Sequence, residues 1–125
     1  MKISACVITK NEAENLPRWL VSMRVFADEM IVVDTGSQDA TTEIARAGGA
    51  KVYHFDWIND FAAAKNFAIE QATGDWIAFL DADEYFPPED CLAVRALLAK
   101  ADAAVDVFQF RRVDIDTDRN DAYIG

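Results

Sequence analysis

Between Gly74 and Glu84 the chain reads Gly-Asp-Trp-Ile-Ala-Phe-Leu-Asp-Ala-Asp-Glu: a turn residue, an apolar run from Trp76 to Leu80, then Asp81, Asp83 and Glu84. An apolar run without polar alternation reads as a strand covered on both faces, and such strands belong to parallel sheets flanked by helices. Open sheets of that kind bind ligands in the crevice beyond the carboxyl ends of their strands. Asp81 and Asp83 stand at that end, so they form the first candidate site.

The rest of the chain supplies the sheet. Ile3 to Thr9 is an apolar, β-branched run that predicts a buried first strand. After the polar stretch Lys10 to Asn15, residues Leu16, Trp19, Leu20 and Met23 recur at helical spacing, and Pro17 fits near a helix start, around Glu14 or Asn15. Met30 to Asp34 predicts the second strand, and Asp39 is placed to cap a helix over 40–47 that Gly48-Gly49 ends. Lys51 to Phe55 predicts a third strand. A helix over 61–72 follows, capped by Asp60, stopped by Gly74, and packed closely through Ala64 and Ala68. Beyond the Trp76–Leu80 strand, Pro87-Pro88 introduces a helix over 89–100, and Val105 to Arg111 predicts a fifth strand. Residues 113–125 offer no clear element. The order is α/β throughout, a Rossmann-like, mostly parallel sheet with helices on both faces. The expected division is one nucleotide-binding unit over 1–112, with 113–125 as a tail or the start of a truncated second part.

Charge and composition narrow the function. A net charge of −10 among 125 residues lacks the basic footprint that nucleic acid or an anionic membrane surface requires, and 52% hydrophobic residues exclude disorder. No run approaches the roughly 20 apolar residues of a membrane-spanning helix, and no secretory leader is evident. The expected location is cytoplasmic, with the inner face of the membrane as a peripheral alternative. Cys6 and Cys91 have no metal-binding spacing, and His54 is the single histidine, so the cysteines read as reduced core thiols and zinc hydrolysis is disfavoured.

The loop after the first strand, Thr9-Lys10-Asn11-Glu12, has no GxGxxG, and no GxxxxGK[ST] occurs. Acidic residues stand at the strand ends instead: Glu12, Asp34, Asp39, Asp81 and Asp83. Carboxylates face a diphosphate only across a cation, and Mg²⁺ or Mn²⁺ commonly takes one or two of them with phosphate oxygens completing its shell. In that arrangement one aspartate of Asp81-Ala82-Asp83 holds the ion and the other a ribose hydroxyl. Asp34 is suited to accept from a ribose or a uracil imide, and Lys65 to meet a phosphate or a base edge.

Ile3 to Glu12, Ile31 to Thr41, Ala64-Lys65-Asn66 and Ala72 to Glu84 together resemble the nucleotide-sugar half of family 2 glycosyltransferases with the GT-A fold, in order and in spacing. The resemblance implies transfer of a sugar from a UDP-sugar donor, with inversion, to an acceptor that these residues do not name. Residue by residue, it implies that Asp34 contacts uracil, that Thr9 and Glu12 line the nucleoside pocket, and that Lys65 approaches the donor. It further implies that Asp81 contacts the ribose and Asp83 ligates Mn²⁺ or Mg²⁺. The stretch from Phe55-Asp56-Trp57 to Asp60-Phe61 is similar to the branch that decorates bacterial surface (cell envelope) or peptide substrates. The catalytic general base of such enzymes is expected beyond Gly125. Self-association through apolar surface left uncovered by a missing acceptor half is a further expectation.

Bland readings stand beside these. Asp39, Ser37 and Thr41 suit turn chemistry. Trp19, Trp57 and Trp76 suit core or rim packing, His54 a structural role, and Glu84, Asp114, Asp116 and Asp118 solvated surface. The alternative functions are a module that binds a nucleotide or nucleotide sugar without turnover and, behind it, a flavodoxin-like or receiver-like domain.

Overall fold

The computed structural model describes residues 1–104, 112–116 and 121–124. Its elements are β1 (Ile3–Thr9), α1 (Leu16–Phe26), β2 (Glu29–Asp34), α2 (Thr41–Ala47), β3 (Lys51–His54), α3 (Phe61–Gln71), β4 (Trp76–Phe79), α4 (Pro88–Ala104), β5 (Arg112–Asp116) and β6 (Asp121–Ile124). They form one sheet in the order β3-β2-β1-β4-β5-β6. Neighbours run parallel except for the antiparallel pair β5–β6. The expected α/β, Rossmann-like architecture is therefore the observed one.

Alternation along the central strands feeds two cores. On one face, Ile3, Ala5 and Val7 of β1, Val32 of β2 and Trp76 and Ala78 of β4 meet Leu16, Trp19 and Met23 of α1, Ala45 of α2 and Cys91 and Leu98 of α4. On the other, Cys6, Ile31, Val33 and Ile77 meet α3 through Ala68, with Phe67 and Ile69 packed alongside. Ala64 and Ala68 are fully buried, as their small size at the sheet-facing positions of α3 predicts. Cys6 and Cys91 are free, buried thiols, and burial, with Glu29 adding to it, pushes Cys6 up to about 12.

The end of the sheet opposite the strand C-termini is fixed by a buried carboxylate. Glu29 Oε2 accepts from Thr73 N (2.8 Å), Thr73 Oγ1 (2.9 Å) and Ser4 Oγ, and Oε1 accepts from Lys51 Nζ at 2.8 Å. Burial alone would raise its pKa; the bonds from Lys51, Ser4 and Thr73 outweigh burial and bring it to about 2. Gly74 passes so close to β1 that a Cβ there would lie 2.8 Å from Ser4 N and 2.9 Å from Lys2 O.

Three details depart from expectation. The helix over 40–47 has Ala40 at its cap position, and Asp39 accepts from Thr41 N from one residue further out. Gly74 serves the close approach to β1, and α3 ends earlier, at Ala72. Residues 113–125, which offered no clear element, contain most of β5 and all of β6; Arg112-Val113-Asp114-Ile115-Asp116 alternates polar with apolar residues at the period of a strand. The strand expected over Val105 to Arg111 lies outside the described residues. No helix among the described residues is long and apolar enough to cross a membrane.

Candidate functional site

β2 and β3 lie on one side of β1 and β4 on the other, so the chain reverses its direction across the sheet at β1/β4, and open sheets of this kind take ligands beyond the strand ends at such a point. Register aligns Thr9 with Asp34, Asp34 with His54, and Cys6 with Phe79, which brings Asp81 beside the end of β1.

Thr9 and Asp34 are in direct contact. Asp34 is 3% exposed, and its Oδ1 accepts from Thr9 Oγ1 (2.9 Å) and Ser37 Oγ. Its Oδ2 accepts from Gly36 N (3.1 Å) and Ser37 N (2.9 Å). Burial would raise this carboxyl, but the bonds from Ser37, Thr9 and Gly36 prevail and hold it below the usual aspartate range. Gly36, at φ +116°, is the residue that lets the chain fold back onto Asp34.

The loops after β1 and β2 are laced together. Asn11 N donates to Ser37 Oγ (2.8 Å), Gln38 N to Asn11 Oδ1 (2.8 Å), Glu12 N to Thr41 Oγ1 (2.9 Å) and Ala13 N to Asp39 Oδ2 (3.2 Å). Thr35 adds bonds from its N and Oγ1 to Thr9 O, both 2.9 Å. Glu12 also starts α1: its carbonyl accepts from Leu16 N and its carboxylate from Asn15 Nδ2. Ser37, Asn11 and Thr35 did not stand out as site residues in the sequence, although a cluster of Asp, Thr, Gly and Ser directly after a strand is a signal for side chains bonding local backbone.

The end of β4 is built differently. Leu80 and Ala82 are buried and anchor the strand end, where Trp19 Nε1 donates to Leu80 O at 3.2 Å. Asp81 and Asp83 alternate with them and are exposed. Glu84 closes the turn: its N donates to Asp81 O (2.9 Å) and its Oε1 accepts from Asp81 N (2.8 Å), so it is a turn clamp as well as a surface acid. Partial desolvation, with the neighbouring charge of Asp83 second, raises the Asp81 carboxyl above its usual value. Lys65, half-buried on α3, carries its Nζ 4.7 Å from the centroid of Phe79, two residues before Asp81. Among the described residues no group of three or more His, Cys, Asp or Glu forms a ready metal cage. Two exposed acidic groups at one strand end still suit a hard divalent ion whose remaining ligands come from phosphate and water.

Beside these strand ends is a groove of about 220 Å³ lined by Ile8, Thr9, Lys10, Thr35, Trp57 and Phe61. Trp57 and Phe61 are 43% and 52% exposed, whereas Trp19 and Trp76 are fully buried. The Trp57 indole donates to Asn59 Oδ1 at 2.9 Å, with Asn59 at φ +57°. The structure thus joins Thr9 to Asp34, and Lys65 to the strand end that carries Asp81. Glu12 is not among the residues lining the groove.

Comparison with known proteins places this arrangement. The chain is 50% identical over 102 residues to the TPR repeat-containing protein Synpcc7942_0270 of Synechococcus elongatus, covering 82% of this chain and 25% of that protein. It therefore spans about a quarter of that relative's length. Among solved structures, S. aureus TarS (1–349) superposes with a TM-score of 0.67 at 28% identity, covering 80% of this chain and 33% of TarS. The glucosyl-3-phosphoglycerate synthase of Mycobacterium tuberculosis in complex with uridine diphosphate superposes with a TM-score of 0.61 at 25% identity, covering 80% and 39%. The family model described as glycosyl transferase family 2 matches residues 4–124, and with its acidic strand end on a GT-A sheet the chain belongs to that family.

Proposed function

We propose that the chain forms the donor-binding part of a glycosyltransferase that takes a sugar from a UDP-sugar and transfers it with inversion, dependent on a divalent cation. The observation that carries this is the exposed pair Asp81 and Asp83 at the carboxyl end of β4, with the Asp81 carboxyl raised in part by its neighbour's charge. A cation relieves that repulsion, and a diphosphate completes its shell. The M. tuberculosis synthase described with uridine diphosphate supports the choice of nucleotide.

In this reading Asp83 holds Mn²⁺ or Mg²⁺ and Asp81 accepts from a ribose hydroxyl. When bound, the ion stabilises the charge that develops on the departing diphosphate. Lys65 brings a positive charge to the same strand end. Thr9 forms the wall between the nucleoside and β2, and Asp34 holds that wall in place through its bond to Thr9 Oγ1. The clamp by Glu84 fixes the backbone between the two aspartates, which limits how far their carboxylates move on binding.

Calorimetric titration with UDP, with and without Mn²⁺, on the native chain and on Asp83→Ala tests this. Binding that strengthens with Mn²⁺ and loses that gain in Asp83→Ala is the expected result. UDP binding that ignores both the metal and the substitution would favour a binding module over a metal-dependent transferase.

A further inference from the structure

We infer that the donor's base is held in the groove between β1 and the loop before α3 by stacking on Trp57 and Phe61, without a hydrogen bond to Asp34, so that the site discriminates weakly between pyrimidines. This rests on the donor-binding reading above and concerns how that site selects its nucleotide.

Asp34 has nothing left to offer a base. A carboxylate has about four acceptor positions. Those of Asp34 are taken by Thr9 Oγ1, Ser37 Oγ, Gly36 N and Ser37 N, and the residue is 3% exposed. Accepting from a uracil imide would mean giving up one of these bonds and opening the turn around Gly36.

The groove provides another means of holding a ring. It is continuous with the proposed donor site through Thr9, which lines it while bonding Asp34. Its volume of about 220 Å³ is below the range of roughly 300–1,000 Å³ that holds a drug-sized ligand, so it suits one ring system rather than a whole nucleotide. Two aromatic side chains line it while remaining substantially exposed, and one hydrogen bond, from the Trp57 indole to Asn59 Oδ1, orients the ring. Aromatic faces hold bases with little regard to their hydrogen-bonding edges, since every base has a π face. A site built around the imide N–H would instead reject cytosine, which presents an acceptor at that position.

Trp57 also reports on the event, because the other two tryptophans are fully buried. UDP is expected to quench tryptophan emission in the native chain. Trp57→Ala is expected to weaken UDP binding roughly 5- to 150-fold, from a stacking contribution of about 1–3 kcal/mol per base. Trp57→Phe should keep most of the affinity and lose the quenching. CDP should bind within about tenfold of UDP, against the roughly 10⁴-fold loss expected where a site is built around a specific hydrogen bond. If UDP binds but CDP is weaker by more than that tenfold margin, or Trp57→Ala binds UDP as tightly as the native chain, the inference is overturned while the donor reading stands. Absence of UDP binding by calorimetry with Mn²⁺ present overturns both.

Discussion

Gly74 shows how one residue is fixed by what surrounds it. Its backbone N donates to Ser4 Oγ at 2.8 Å, and the carbonyl of Lys2 accepts from both Asp75 N and Trp76 N. These contacts set β4 beside β1, and a methyl group at Gly74 would meet backbone atoms that cannot step aside. Gly74→Ala should therefore cost about 1–3 kcal/mol, the usual range for overpacking a tight site, and denaturant unfolding at neutral pH measures it. The sequence marked Gly74 as a helix stop, which is a local inference. Its actual constraint comes from β1, some seventy positions away, and no local pattern carries it. Glu12 and Asp34 illustrate the same limit: the sequence makes them acidic groups at strand ends, while the fold commits one to starting α1 and the other to four internal bonds.

At the scale of elements, the loops after β1 and β2 behave as one unit with Asp34 at its centre. Asp34→Ala leaves Thr9 Oγ1 and the amides of Gly36 and Ser37 without their acceptor, and should destabilise the chain by about 2–4 kcal/mol. Amide exchange should accelerate over residues 35–41 and in the loop 10–15 that is tied to them, while α3, which rests on the opposite core, keeps its protection. Uniform acceleration throughout the chain would mean that Asp34 supports the whole fold rather than this unit. The strands were legible because buried parallel strands leave apolar runs, and β1 spans the residues its run predicted. The lacing was not, because Asn11 to Ser37 and Glu12 to Thr41 are pairings across two loops, and composition gives only the types of residue, not their partners. β5 and β6 were hidden for a different reason: they are short and rich in charge, and lack the apolar runs that buried parallel strands leave.

Across the whole molecule, stability and the candidate site sit at opposite ends of the same strands. The Glu29 cluster ties β1, β2, β3 and the turn before β4 at one end, and the crevice opens at the other. Glu29 has a folded pKa of about 2 against an ordinary value of 4.5, so it binds fewer protons folded than unfolded. Its contribution is fully present above pH 4.5 and is lost as the pH falls through about 2, a change on the order of 3 kcal/mol. Glu29→Gln should be less stable than the native chain at pH 7, and the difference between the two should shrink steadily as unfolding is followed from pH 5 to pH 2. A difference that stays constant with pH would show that the carboxylate's charge contributes nothing at this position.

The laced loops have a consequence for the thermodynamics of capture. A wall already closed by its own hydrogen bonds has little conformational freedom left to surrender when a ligand arrives, so the ordering cost on the β1–β2 side is small. Whatever adaptation the crevice makes falls to the short stretch that carries Trp57, whose exposed ring is held by one bond, to Asn59, rather than by a lacing between two loops. A nucleotide entering here would meet one rigid jaw and one compliant one.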